Sequence, residues 1–577
     1  MISLSVLLLA ASPSLSTTAE LTRYERTGRY AEVEALCASY PKAFPGKVKC
    51  ETFGTTPQGR PMLMLVASAD NTFSAGDCAK KQRPVILMQG GIHAGEIDGK
   101  DAGFEVLRSM LDGSALQGAL TKLTLVFVPV FNVDGHERFG AYNRPNQTGP
   151  AEMGWRVTSN NLNLNRDFVK ADAPEMRAML TLLHSYEPVM YLDLHATDGA
   201  KFQHDVAINF EPWQTGHETL RSLGKAMRVA LLKELTALGH LPLDFYPSFI
   251  KDDQPKSGFE YSWAPPRFGT AYWAANNRFG FLVETHSWKP YAKRVRATID
   301  VCQTVLRLAS EDGARWLKAA KEADAADEKR AGTDVTLEYE TTKHPKELVF
   351  LGYAYSIENS EVSGKPWIRY DDTKPEAWTL PFFDELQPLL TLPAPKGGYL
   401  VPAEEATWVS EKLKLHAIRY VTLKRPKLAA KVETVRLETQ FSAKPIEGRQ
   451  TVKTKGAWKA DTRDISAGSL FVPAGQPHLS LVMHLFEPAS TDSLLSWGFF
   501  NAHLEQKEYM EDYMMEQIAR EQLRDPAVKA AFELKLKDPA FAGDPDARLR
   551  FFYARHPSFD QHFNLYPVFR TAELDFK

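Results

Sequence analysis

From residue 85 the chain alternates short, nearly unbroken apolar runs with longer helix-like stretches, and this limits its fold more than any other feature. "PVILMQG" (84–90), "LTLVFVPVF" (123–131), "VMYLDLH" (189–195) and "FGFLVETH" (279–286) read as buried strands. Between them "GKDAGFEVLRSMLDG" and "APEMRAMLTLLHSYEP" read as helices, the second with Pro174 near its start and Pro188 beyond its end. The pattern predicts an α/β layered domain. In open sheets of this class, chemistry gathers just outside the carboxyl ends of the strands. Three of the four runs end at, or just before, His93, His195 and Glu284.

A length of 577 residues predicts more than one domain, and 44% hydrophobic with 24% charged residues is ordinary globular composition. With 69 basic against 72 acidic residues, neither nucleic acid nor an anionic membrane is expected as the main partner. The first residues, "MISLSVLLLAASPSLSTTAE", have an apolar centre followed by small residues, without a basic start. Residues 1–19 therefore resemble a secretory signal, which predicts a periplasmic or secreted protein. No later stretch has the roughly 18 unbroken apolar residues of a membrane helix, so no integral membrane segment is expected. Of the four cysteines none forms a C-x-x-C pair; Cys37 and Cys50 read equally well as a bridge in an exported protein or as unpaired small hydrophobes. The charged, alanine-rich segment 315–334 marks the expected boundary between a domain at 20–320 and a second at 335–577. The second reads as β-rich, with runs such as "ELVFLGYAYSI", and ends in charged helices.

In "QGGIHAGEIDG" (89–99), His93 and Glu96 stand three apart among glycines. The spacing alone carries little, because 15 histidines and 72 acids in 577 residues predict about two such pairs by chance and the chain has five. His184/Glu187, His344/Glu347 and His484/Glu487 read as structural or surface pairs, and His195/Asp198 follows a strand. The first pair differs in context: Gly90, Gly91 and Gly95 let a strand end and a helix begin within a few residues, aiming both side chains into one space. With His195 as third member the set has the His₂Glu composition of catalytic zinc sites.

Further motifs follow in order. "YERTGRYAEVEALCASYPKAF" and "ETFGTTPQGRPMLMLVAS" precede the pair; "VPVFNVDG" (128–135), Trp155-Arg156, "LNLNRDF" (162–168) and "FLVETHS" come after it. Across roughly residues 20–310 the chain resembles the zinc carboxypeptidase family, the M14 metallocarboxypeptidases. The resemblance implies a mixed, twisted β-sheet flanked by helices, plus a C-terminal β-rich and helical region outside it. It further implies one zinc ion on His93, Glu96 and His195, with Glu284 as general base and then acid. Arg156 is implied to polarise the scissile carbonyl, and Asn165 with Arg166 to hold the substrate's terminal carboxylate. The expected activity is removal of the C-terminal residue from peptides with a free carboxylate, through zinc-activated water. An amidase of cell-wall peptides or N-acyl amino acids is the nearest alternative, and a non-catalytic binding protein a more distant one.

The sequence departs from the family pattern at several points. Gly95 replaces an arginine common between the first histidine and the glutamate, removing one substrate contact. Asn163 stands where an aspartate often supports a zinc histidine. For the family's mobile, substrate-binding tyrosine, Tyr261 and Tyr272 are the candidates. Ala271 and Tyr272 fall near the side-chain pocket, and without an acid there an apolar or small terminal residue is expected rather than lysine or arginine.

Overall fold

The computed structural model describes residues 15–576. The proposed leader therefore lies largely outside the described residues. Those of its positions that are described, 15–19, run into the fold: Thr17 caps the short helix Thr18–Leu21, and Ala19 is buried.

The centre is an eight-stranded sheet of β1 (Val48–Thr55), β2 (Pro61–Ala67), β3 (Val85–Gly90), β4 (Thr124–Val128), β5 (Met190–Thr197), β6 (Val206–Glu211), β7 (Pro242–Leu243) and β9 (Phe279–His286); β8 (Phe259–Glu260) lies elsewhere. Its order is β1-β2-β4-β3-β5-β9-β6-β7. The four middle strands run parallel, while the β1–β2, β2–β4 and β9–β6 pairings are antiparallel and β7 pairs parallel to β6, so the sheet is mixed. The parallel strands are the ones that the apolar runs at 84–90, 123–131, 189–195 and 279–286 announce. Every residue of β3, β4 and β5 is buried, as expected of strands covered on both faces. The expected helices occur at Asp98–Asp112 and Pro174–Tyr186. Asp98–Asp112 packs with the long helix Tyr291–Asp327, which in turn packs on Glu218–Ala237.

Cys37 and Cys50 form a disulfide between the helix Tyr30–Ala43 and β1; Cys78 and Cys302 are free and buried. No helix among the described residues is long and apolar enough to cross a membrane.

The helix Tyr291–Asp327 carries the chain into the C-terminal region, where β10 (Asp334–Thr341) pairs with β13 (Leu386–Pro393) and β11 (Lys346–Asn359) with β12 (Pro366–Phe383). β12 also pairs with β8, fastening the long hairpin to the first domain. Next come β14 (Gly398–Val401), β15 (Val421–Thr422), β16 (Lys427–Thr434), β17 (Glu438–Phe441), β18 (Val452–Lys455), β19 (Lys459–Ile465) and β20 (Leu470–Pro473). The charged helices near the end gather a small core around Phe532, Phe551 and Phe552. They do not finish the chain: β21 (Phe569–Thr571) returns to the interior of a six-stranded sheet, order β15-β20-β14-β21-β16-β19. One apolar core runs through both halves, from Ala19 to Val568.

Candidate metal centre and substrate cleft

β3 ends at Gly90, and Gly91 takes φ 64°, a left-handed conformation that glycine adopts without strain. The chain turns there and enters the helix Asp98–Asp112. Gly99 lets that helix approach β5: a Cβ at this position would lie 2.6 Å from the Leu194 Cβ, too close for a side chain. Close packing of helix on strand thus brings His93 and Glu96 to His195, which follows Leu194. A buried ion pair fixes the helix start, with Arg294 Nε 3.0 Å from Asp98 Oδ2, and Thr285 Oγ1 donates to the same oxygen at 2.6 Å.

His93, Glu96 and His195 are all buried, and one ligand atom from each lies within 4.8 Å of the others. Nδ1 of His93 is 3.0 Å from Glu96 Oε1, and Nδ1 of His195 is 2.8 Å from Glu96 Oε2. Each ring also directs Nε2 toward an oxygen: His93 lies 3.2 Å from Asn163 Oδ1, and His195 lies 3.0 Å from Asp193 Oδ2. Two Nδ1 atoms and a carboxylate converging, with the far ring nitrogens backed by oxygens, is the arrangement that orients histidine ligands. The donor set therefore fits a zinc ion.

Burial lowers the His93 imidazole to about 4, against the pull of Glu96. For Glu96 burial works upward, but His93 and Arg144 outweigh it and hold the carboxylate well below its usual range. Burial would also lower His195, yet Asp193 and Glu284 overcome it and raise the ring well above the ordinary value. Glu284 sits directly opposite His195 in the β5–β9 ladder, and its Oε2 is buried without a hydrogen bond. Burial pushes this carboxyl up to about 8, opposed by His195 and reinforced by Glu96.

Arg156 is part-exposed, with Nη1 3.4 Å from Glu96 Oε1, and its carbonyl accepts from Asn132 Nδ2 in the "VPVFNVDG" turn. Asn165 is buried, and its Oδ1 accepts weakly from Gly269 N at 3.4 Å. Arg166 donates to the Asn165 carbonyl at 2.7 Å and lies over the Phe268 ring at 4.1 Å. Among the described residues Arg166 enters no ion pair. Burial and then Arg156 pull its basicity down, with Glu447 acting the other way.

Two expected residues are not at the site. The Tyr261 hydroxyl accepts from Trp213 Nε1 at 2.8 Å and donates to Asn209 Oδ1 at 2.7 Å. The pairing of β8 with β12 turns it inward, its N–H bonding to the Phe383 carbonyl. Tyr272, on the short helix Gly269–Ala275, is wholly buried between His184 (2.7 Å) and His416 (2.9 Å). Tyr246 is the tyrosine beside the cluster. Its hydroxyl is 3.2 Å from Thr197 Oγ1, and burial, Glu284 and Glu96 all push the phenol upward.

Gly95 has a different consequence from the one expected. Arg144 crosses directly above it, where a Cβ would lie 2.5 Å from the Arg144 Cγ. The guanidinium reaches Glu96 Oε1 at 3.0 Å and Asp198 Oδ1 at 3.1 Å. A positive charge thus arrives from 49 positions further along the chain (144 − 95). Neither Arg144 nor Tyr246 lies in a motif, and only their three-dimensional placement marks them. Beside Asp198 and Tyr246 opens a cleft of about 530 Å³, whose far wall is Trp367 and Tyr370 of β12.

A buried His₂Glu cluster and an unpaired carboxylate at the parallel strand ends define a metal-dependent hydrolase of the carboxypeptidase class. Residues 33–284 match the profile of the zinc carboxypeptidase family, Peptidase M14, and this segment is a domain of that family. Among solved structures the chain is similar to carboxypeptidase A from Helicoverpa armigera (19% identity, 54% of this chain and 78% of that one, TM-score 0.37). It is also similar to a metallo-carboxypeptidase from Burkholderia cenocepacia (15% identity, 48% and 69%, TM-score 0.34). No curated protein matches the chain.

Proposed function

We propose that the protein is a zinc exopeptidase that hydrolyses the last peptide bond of chains ending in a free carboxylate. The observation that carries this reading is Arg166, half-buried near Arg156 at the candidate metal centre, with no ion-pair partner among the described residues. A group built to hold a single negative charge selects a chain end over an internal bond.

His93, Glu96 and His195 would hold the ion, which supplies Lewis acidity when bound. Glu284 takes a proton from water and returns it to the departing amine. A carboxyl whose burial lifts it toward neutrality suits a group that must both accept and release a proton. Arg156 offers a permanent positive charge to the oxygen of the scissile carbonyl. Asn165 and Arg166 position the substrate's carboxylate. The cleft between Tyr246 and β12 accommodates the residues preceding the cleaved bond. A cell-wall amidase would use the same centre, and cleavage of muropeptides measured against ordinary peptides separates the two readings.

The signal-like start and the Cys37–Cys50 bridge support export to an oxidising compartment.

The test is metal dependence together with loss of the base. Chelation should abolish release of C-terminal residues and zinc should restore it, while Glu284→Gln leaves less than about 1% of turnover. Activity that survives chelation, or a near-normal Glu284→Gln enzyme, rejects the proposal.

A further inference from the structure

The loop 162–173 carries Asn163, Asn165 and Arg166, and the C-terminal region holds it at several points. Lys412 donates to the carbonyls of Lys170 and Ala171, the second at 3.1 Å. His416 Nε2 lies 2.9 Å from the Val169 carbonyl. Arg449 meets Asp172 through two hydrogen bonds of 2.7 and 2.8 Å, and its guanidinium stacks on Phe499.

Arg449 belongs to the connection between β17 and β18. There Ile446 and Arg449 exchange backbone hydrogen bonds, with Glu447 at φ 48° and Gly448 at φ 77° between them. The tight turn is pinned on one side by Arg449–Asp172. At its tip the Glu447 carboxylate accepts the N–H of Asn163 at 3.2 Å. An acid from the far half of the chain thus stands beside the loop that carries Arg166. Among the described residues Glu447 enters no ion pair, and its charge acts on Arg166.

We infer that Glu447 is a specificity-determining residue, by which the C-terminal region selects substrates whose last residue carries a positive charge, ammonium or guanidinium, beside its carboxylate. The inference rests on the carboxypeptidase reading and deepens it. A lone carboxylate approaching Arg166 is attracted by the guanidinium and repelled by Glu447. A cationic side chain on the same residue turns that repulsion into attraction, since Arg166 and Glu447 then face opposite charges. The pinned turn keeps Glu447 from swinging away to relieve the repulsion. This reverses the expectation drawn from Ala271: the acid comes from outside the family domain.

The test compares kcat/KM for matched peptides ending in lysine, arginine, leucine or glutamate, using the full-length, zinc-loaded protein. The wild type should prefer lysine and arginine to leucine and act least on glutamate. Glu447→Gln should cut the lysine-to-leucine ratio at least tenfold, through KM, and raise the glutamate-to-leucine ratio. Arg449→Ala, which releases the turn, should shift both ratios the same way. These ratios are independent of the fraction of folded enzyme. If Glu447 only ties down the loop, all four substrates fall together and the ratios stay within twofold, which overturns the inference. A wild type that prefers leucine overturns it too. A wild type that releases no C-terminal residue from any peptide instead fails the carboxypeptidase reading, and the inference with it.

Discussion

His195 faces Glu284 across the β5–β9 ladder, so a single register sets the distance between the third candidate ligand and the candidate base. Both lie near the carboxyl ends of parallel strands that are buried along most of their length. A one-residue slip would turn every side chain of a strand to the other face and dismantle the site.

Glu284 can be separated from metal binding. In the proposed mechanism it moves a proton and makes no ligand bond. Glu284→Gln should therefore lose about 10²–10⁴-fold in kcat while binding zinc at the wild-type stoichiometry, as read by elemental analysis. A variant that loses zinc along with activity would make Glu284 part of the metal shell.

Asn163 acts through His93. Its Oδ1 lies 3.2 Å from His93 Nε2 and also accepts the Asn165 N–H at 3.0 Å. Asn163→Ala should weaken zinc binding by about 10–100-fold, measured by competition with a chromophoric chelator. Asn163→Asp, which returns a negative charge behind the ring, should bind zinc at least as tightly as the wild type.

His240 makes stability depend on pH. Asp205 Oδ2 at 2.7 Å and Asp300 Oδ2 at 3.0 Å raise its imidazole to about 9, against the opposing effect of burial, and Arg296 shares Asp300. A histidine raised above its unfolded value of about 6.5 adds stability that is fully present below that pH. The contribution fades as pH climbs toward 9 and is lost above it. The Tm difference between wild type and His240→Gln should thus be largest near pH 6 and close to zero above pH 9. A difference that grows with pH would contradict the assignment.

The Cys37–Cys50 bridge closes a loop of 13 residues. Replacing both cysteines by alanine should lower unfolding stability by about 3 kcal/mol, as measured by urea denaturation.

Much of this site is legible in the sequence because its residues lie close to strand ends that apolar runs announce. His93, Glu96, His195 and Glu284 are each tied to such a run, and Arg156, Asn165 and Arg166 lie in short patterned turns. Sequence spacing fails for the tyrosine, because it does not reveal which way a loop residue turns. Tyr261 is drawn inward by the β8–β12 pairing, and Tyr272 is absorbed into the core between two histidines. Arg144, Tyr246 and Glu447 reach the site from segments without periodicity. Glu447 comes from a hairpin some 280 residues beyond Asn163, and that long-range contact leaves no trace in local pattern.

The central claim is most directly tested by identifying products. A mixed pool of free-acid peptides, their C-terminal amides and muropeptides should be digested by the zinc-loaded protein and read by mass spectrometry, with Glu284→Gln as control. The account predicts loss of single C-terminal residues from the free acids, little from the amides, and none with Glu284→Gln. Equal cleavage of acids and amides, internal fragments, or products from muropeptides alone would contradict it.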